Sequence, residues 1–396
     1  MTSATFTKLS LMMLLQYFIW GAWYVTMGTY MSVFLHATGV QIGAAYGALA
    51  IATMISPFFI GLVADRFFAA QRIMGILHIG GSALLYLATT VSDNTAFYWI
   101  ILLYSLLYMP TIALSNSIAF HQMTDPGKQF PWIRVFGTVG WIIAGLLIGT
   151  MAIEKTSTTF YIAAMASFGL GVISFILPNT PPTGTSSASS VAGGDALILL
   201  KDRSYLIFFI AAILVCIPLS FYYGFANVFL NELGLQNAAG KMILGQVSEA
   251  LFILAIPFLF NNIGVKNMLL LGMTAWILRY VCFAFGDIGP GTWMLYAGII
   301  LHGICYDFFF VTGYMYTEKK AGEKIKNAAQ GLFTFATYGV GMFIGTWFSG
   351  LTYDHYVSDG IHQWQQIWFV PAFIAVGVLI YFILFFREKK EIQAAN

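Results

Sequence analysis

Charge is what this sequence has least of. Only 9% of its 396 residues are Asp, Glu, Lys or Arg, against roughly 25% in an ordinary soluble domain. With 59% hydrophobic residues and a mean hydropathy of +0.80, the chain has too few polar groups to cover a water-facing surface. That excludes a soluble globular protein. Cysteine is scarce as well. Cys216, Cys282 and Cys305 each sit in an apolar run, which reads as small core residues and argues against a disulfide framework. No cluster of His, Cys and carboxylates has metal-ligand spacing, and no glycine-rich phosphate loop or nucleophile–base set is visible. No metal, cofactor, catalytic residue or enzymatic activity is therefore expected. A net charge of +2 gives no ground for a nucleic-acid partner. The first apolar run is too long for the core of a cleavable signal peptide, so none is expected.

Long apolar runs are what remains. A spanning helix needs about 20 apolar residues. About twelve such runs can be counted, near 9–35, 43–64, 73–91, 98–120, 132–153, 158–177, 205–230, 243–263, 267–286, 292–316, 329–352 and 364–386, numbered here span 1 to span 12. Ten-residue alternation of the barrel kind is missing, so the spans are helices. Lys and Arg mark the cytoplasmic side. With the N-terminus inside, that side holds Lys8, Arg72, Lys128, Lys201, Arg203, Lys266, Lys319 and others, while the external loops hold only Lys155 and Lys241. Both termini are thus expected in the cytoplasm, with the chain in a bacterial inner membrane and surrounded by lipid as a monomer.

The stretch "PNTPPTGTSSASSVAGGDALILLKDRSY", starting at Pro178, begins as a Pro/Gly/Ser/Thr linker and ends in a short patch suited to the membrane surface. It divides the chain into an N-terminal six-helix bundle at 1–177, a linker at 178–204, a C-terminal six-helix bundle at 205–390 and a tail at 391–396. The halves echo each other. "VFLHATGVQ" from Val33 resembles "VFLNELGLQ" from Val228, at an offset of 195. "SPFFIGLVADRF" from Ser56 resembles "IPFLFNNIGVKN" from Ile256, and "GTVGWIIAGLLIG" from Gly137 resembles "ATYGVGMFIGTWFSG" from Ala336, at offsets of 200 and 199. Three ordered matches at nearly one offset point to a duplicated six-helix unit, a transporter signature that puts the site at the midplane between the halves.

By these spans only four charged residues lie within helices: Arg134, Glu249, Arg279 and Asp307. A charge at the centre of a bilayer costs on the order of +3 kcal/mol by insertion scales. Two cations and two carboxylates can offset that by pairing, and such residues mark a pathway or proton relay. In "LGQVSEALFILAIPF" from Leu244, Gln246 and Glu249 are three apart and share a face. Span 5 carries Arg134, Thr138 and Trp141 at i, i+4 and i+7. Span 7 offers Ser220, Tyr223 and Asn227. Span 10 offers His302, Tyr306 and Asp307, with Phe310 one turn on. Span 1 offers Gln16 and Trp20, with Trp23 nearby. Amides, carboxylates and rings from several helices suit a small ligand with a flat part and polar edges. A base joined to a sugar fits that description, and so does a free sugar. A carboxylate taken out of water is easier to protonate, so Glu249 and Asp307 are candidates for proton coupling. His302 is either a proton relay or a packing residue.

"GLVADRFFAAQR" from Gly61 is similar to the loop motif of the major facilitator superfamily, in which Asp65 and Arg66 would form a gate that breaks as the halves rock. The runs "YMPTIALSNSIAF", "RVFGTVGW", "GQVSEALFILAIPF", "YDFFFVTGYMY" and "AAQGLF" are similar, nearly end to end, to the nucleoside:proton symporter family of that superfamily. The resemblance implies an all-α membrane protein of twelve helices in two pseudo-symmetric six-helix bundles. It also implies proton-coupled import of nucleosides by alternating access. Substrate contacts are implied for Arg134, Thr138, Trp141, Gln246, Glu249 and Asp307. Tyr306 stands where the family's permeases have another aromatic, and His302 where they have a tyrosine. Span 7 departs further, with Ser220 and Tyr223 in place of Gln and Asn, and is more similar to a second branch of the family. That leaves a sugar, a glycoside or a modified nucleoside as the alternative substrate. A non-transporting sensor or scaffold has no soluble domain to support it. Arg134, near the inner end of span 5, implies either an earlier helix start or a role at the inner gate.

Overall fold

The computed structural model describes residues 2–59, 68–182 and 194–387. The expected gate residues Asp65 and Arg66, the linker residues 183–193 and the tail at 391–396 lie outside them.

Within the described residues the chain is almost wholly helical, because a helix satisfies every backbone group inside its own segment. Span 1 is Ser3–Trp23, continued after a short break by Met27–Val33. Spans 2 to 6 are Gly39–Phe59, Ala70–Ala88, Asn94–His121, Pro126–Met151 and Thr158–Ser174. The described end of the linker is a 3-10 turn, Gly194–Lys201. Span 7 is Arg203–Glu232. Spans 8 and 9 share one helical stretch, Ala238–Phe285, broken at Gly264, whose φ of 74° lets the chain reverse. Span 10 runs through Thr292–Ile300 and His302–Tyr306, a π-turn at Asp307–Val311, and into Thr312–Thr334. Gly322, at φ 65°, turns that stretch into span 11, which holds a second π-turn, Phe335–Gly341, and Met342–His355. Span 12 is Trp364–Phe385. Asp93, Asp125 and Asp202 cap the first turns of spans 4, 5 and 7 with their side chains.

One boundary corrects an expectation. Span 5 starts at Pro126, not near 132. Pro126 lies at the helix start, where its missing N–H is no loss. Arg134 is therefore more than two turns inside the helix. Large apolar side chains such as Leu254 and Phe373, 78% and 71% exposed, cover the outside, as a lipid-facing surface requires.

Glycine sets the close approaches within each half. A Cβ at Gly140 in span 5 would lie 2.1 Å from the Leu14 carbonyl oxygen in span 1. In the other half a Cβ at Gly345 in span 11 would lie 2.8 Å from the Cys216 carbonyl oxygen in span 7. Small residues let membrane helices pack backbone to backbone. Gly140→Ala is expected to destabilise by about 1–3 kcal/mol through overpacking. Gly377→Ala in span 12, where nothing lies within 4 Å of the added carbon, should leave the melting temperature in detergent unchanged. Equal melting curves for the two variants would refute the packing role of Gly140.

Candidate functional site

A cavity of about 510 Å³ lies between the two halves, within the range of small-ligand sites. Spans 1, 2, 4 and 5 line it from one half, and spans 7, 8, 10 and 11 from the other. Among the described residues, spans 3, 6, 9 and 12 contribute nothing to its wall. This four-plus-four arrangement repeats the sequence duplication in space.

Arg134, Thr138 and Trp141 of span 5 all reach the cavity, as their shared helix face requires. Gln246 and Glu249 of span 8 meet them from the opposite half, with Tyr223, His302 and Tyr306 beside them. Thr138 and Gln246 make no side-chain hydrogen bond among the described residues, so their polar atoms are available to a ligand. The Arg134 guanidinium lies 4.1 Å from the centre of the Tyr17 ring. Glu249 Oε2 lies 3.8 Å from His302 Nε2. The two expected Arg–carboxylate pairs do not form among the described residues. Both intramembrane arginines rest on aromatic faces instead, Arg134 on Tyr17 and Arg279 on Tyr222. A ring face attracts a cation without adding a second charge to desolvate.

Aromatic rings close the blind end. Trp20 and Trp141 are 5.7 Å apart between centroids, Trp20 and Tyr24 5.6 Å, and Tyr24 and Tyr223 5.5 Å, the last pair spanning the two halves. Beyond Trp141 and Tyr223 only a void of about 20 Å³ continues. In the other direction the wall runs through Thr53, Ser56, Asn116, Tyr314 and Thr334. Ala113 and Asn116 also line a second space of about 710 Å³ together with Phe68, His121, Thr180 and Asn327, so the cavity continues toward the face that carries Ser3 and Phe385.

Several expected residues do not line this space. Ser220 is fully buried and donates its hydroxyl to the Cys216 carbonyl one turn back, 2.8 Å away. Phe310 is buried behind Tyr306 and Tyr338, whose hydroxyls hydrogen-bond to each other. Asp307 is buried at the start of the π-turn, and neither carboxylate oxygen has a hydrogen-bond partner. Gln16 faces into the N-terminal bundle. Its amide donates to Thr111 Oγ1 at 2.7 Å, and its carbonyl oxygen accepts from His78 Nε2 at 2.9 Å. Trp23 packs against Tyr104 and Phe160. Conversely, Tyr17, Tyr46, Tyr314 and Tyr338 line the cavity unforeseen. In a chain with 21 Tyr and 36 Phe, an aromatic residue carries no signal of its own.

The halves meet at the end away from the opening. Glu154, after span 5, is 4% exposed. It accepts from the Ala239 amide at the start of span 8 at 2.9 Å, and from the side-chain amides of Asn227 and Asn231 at 2.9 and 2.8 Å. Asn227 in turn accepts from the Thr29 hydroxyl at 2.6 Å. Asp354, at the end of span 11, accepts from the Gly39 and Val40 amides at the start of span 2, at 2.5 and 2.9 Å. Glu154 and Asp354 are 200 residues apart, as are Gly39 and Ala239. Each half therefore places one carboxylate on the N-terminus of the same helix of the other half, where free N–H groups and the helix dipole favour an anion. A Cβ at Gly43 would lie 2.2 Å from the Thr346 carbonyl oxygen, so the backbones touch here too.

Comparison with known proteins matches this layout. The family model described as "Nucleoside H+ symporter" covers residues 3–391. YegT of Escherichia coli (strain K12) is 41% identical over 98% of this chain and 96% of its own length. The xanthosine permease of the same organism is 35% identical over 97% of this chain and 96% of its own. The crystal structure of the nucleoside transporter NupG, 34% identical, superposes with a TM-score of 0.91 over 97% of this chain and 100% of that one.

Proposed function

The chain belongs to the nucleoside H+ symporter family, and on that premise we propose that it imports nucleosides together with protons by alternating access. The observation that carries this reading is the cavity itself. It is enclosed between two duplicated halves, sealed at one end, open at the other, and lined by rings and uncommitted polar groups. The open face is the cytoplasmic one, given the Lys and Arg asymmetry, so the molecule stands in the state that releases substrate inward. We assign it to the bacterial inner membrane as a monomer without catalytic activity.

In this reading the base stacks among Trp20, Trp141 and Tyr223, since rings bind flat ligands by their faces. Arg134, Thr138 and Gln246 hydrogen-bond the ligand. Glu249 holds a sugar hydroxyl and exchanges the coupled proton, for which its place on the cavity wall provides access. Asp307 is a second proton site, reached only when span 10 moves. Tyr223, where the family's permeases have an amide, supports a second reading in which the ligand is a glycoside or a modified nucleoside that offers more apolar surface.

Uptake of labelled uridine and adenosine into proteoliposomes tests the proposal. An inward proton gradient is expected to drive accumulation above the external concentration, and a protonophore to abolish it. Uptake that ignores the gradient would refute coupling. No uptake of either nucleoside by the folded protein would refute the substrate class.

A further inference from the structure

Arg279 belongs to span 9, which has no place on the cavity wall, and it is fully buried. Burying a cation away from water is expensive unless something compensates. No carboxylate pairs with it among the described residues. Its guanidinium carbon sits 3.3 Å from the centre of the Tyr222 ring, and Nε and Nη2 have no hydrogen-bond partner. Nη1 donates to His302 Nδ1, at 3.1 Å. A guanidinium has donors only, so Nδ1 must accept and the proton of a neutral imidazole must sit on Nε2. Nε2 is the atom that faces Glu249 Oε2, 3.8 Å away. The ring is held by stacking on Tyr222, 5.0 Å between centroids and 24° between planes.

That separation is too long for a direct hydrogen bond. It suits one hydroxyl oxygen seated beside both groups, accepting from Nε2–H and donating to the carboxylate. A proton relay through His302 would need Nδ1 free, and Arg279 occupies it. We propose that Arg279 is a positioning residue for substrate recognition: it locks His302 as an Nε2–H donor, which together with Glu249 reads a single hydroxyl of the ligand. The inference rests on the nucleoside reading and deepens it, the hydroxyl being one of the ribose.

The test compares binding of uridine, 2′-deoxyuridine and 3′-deoxyuridine to the purified transporter, its His302→Phe, His302→Gln and Arg279→Met variants, with melting temperatures measured alongside. Wild type is expected to prefer uridine over one of the deoxy analogues by about tenfold or more, because a site built to bond a hydroxyl is left unpaired by the analogue that lacks it. His302→Phe and Arg279→Met should flatten that preference to within about twofold. His302→Gln should keep most of it, since the Gln oxygen can accept from Arg279 while its NH2 faces the cavity. A merely structural role would weaken all three ligands alike. A preference that survives in His302→Phe or in folded Arg279→Met overturns the inference and leaves the nucleoside reading intact. Failure of folded wild type to bind uridine overturns both.

Discussion

Glu249→Gln is expected to bring the inside-to-outside ratio of nucleoside down to about 1 under an inward proton gradient. Each proton coupled to a substrate allows about a tenfold ratio for each pH unit, because 1.4 kcal/mol is a factor of ten. Glu249 is the intramembrane carboxylate on the cavity wall, with a side chain 34% exposed and, among the described residues, no partner closer than His302 at 3.8 Å. It can take a proton from the open side without any helix moving. Glutamine keeps the shape and the hydrogen-bonding edge but has no exchangeable charge. Counterflow of preloaded substrate, which needs no net proton movement, should persist at a reduced rate. Asp307→Asn makes the contrast. Its carboxylate is buried without hydrogen-bond partners, so removing the charge relieves a desolvation penalty. That variant should melt no lower than wild type and lose accumulation too. Wild-type accumulation in both variants, with unchanged pH dependence, would remove the carboxylates from the coupling mechanism.

The second large effect is expected at the closed end. Glu154→Ala combined with Asp354→Ala removes five acceptor contacts that join the halves. Hydrogen bonds to charged groups contribute about 1.5–3 kcal/mol each. Even a fraction of that total moves a two-state equilibrium by more than a factor of 100, since about 5.5 kcal/mol carries it from 1:99 to 99:1. The cavity should then open to the other side. Spin labels at Thr90 and Asp359, one in each half at that end, should report a longer distance in the double variant. Of the two single variants Glu154→Ala should act more strongly, because Glu154 is 4% exposed and accepts three of the five contacts, whereas the exposed Asp354 accepts two. An unchanged distance distribution in the double variant would show that backbone contacts such as Gly43 against Thr346 hold this end shut without the carboxylates.

Much of the architecture was legible without a structure. Each membrane helix must be apolar along its length and must close its own hydrogen bonds, so the spans announce themselves one at a time. Helical periodicity also put Arg134 with Thr138 and Trp141, and Gln246 with Glu249, on shared faces, and these sets do line one cavity. The same rule grouped Gln16 with Trp20 and Ser220 with Tyr223, and there it misled. Trp20 and Tyr223 reach the cavity. Gln16 turns into a network with His78 and Thr111, and Ser220 bonds its own helix.

Periodicity states which residues share a face of one helix, and the sequence by itself determined that much: an all-helical, duplicated membrane protein with polar groups on particular faces. It carries no statement about what each face meets. That is decided by neighbours far off in the chain, and only the tertiary structure supplies them. Arg279 meets His302 rather than a carboxylate. Glu154 and Asp354, which no sequence motif singles out, meet helix N-termini across the interface between the halves. The physical reason is that a charge or an amide is satisfied by whatever packing brings within about 3 Å, and packing is a property of the folded whole.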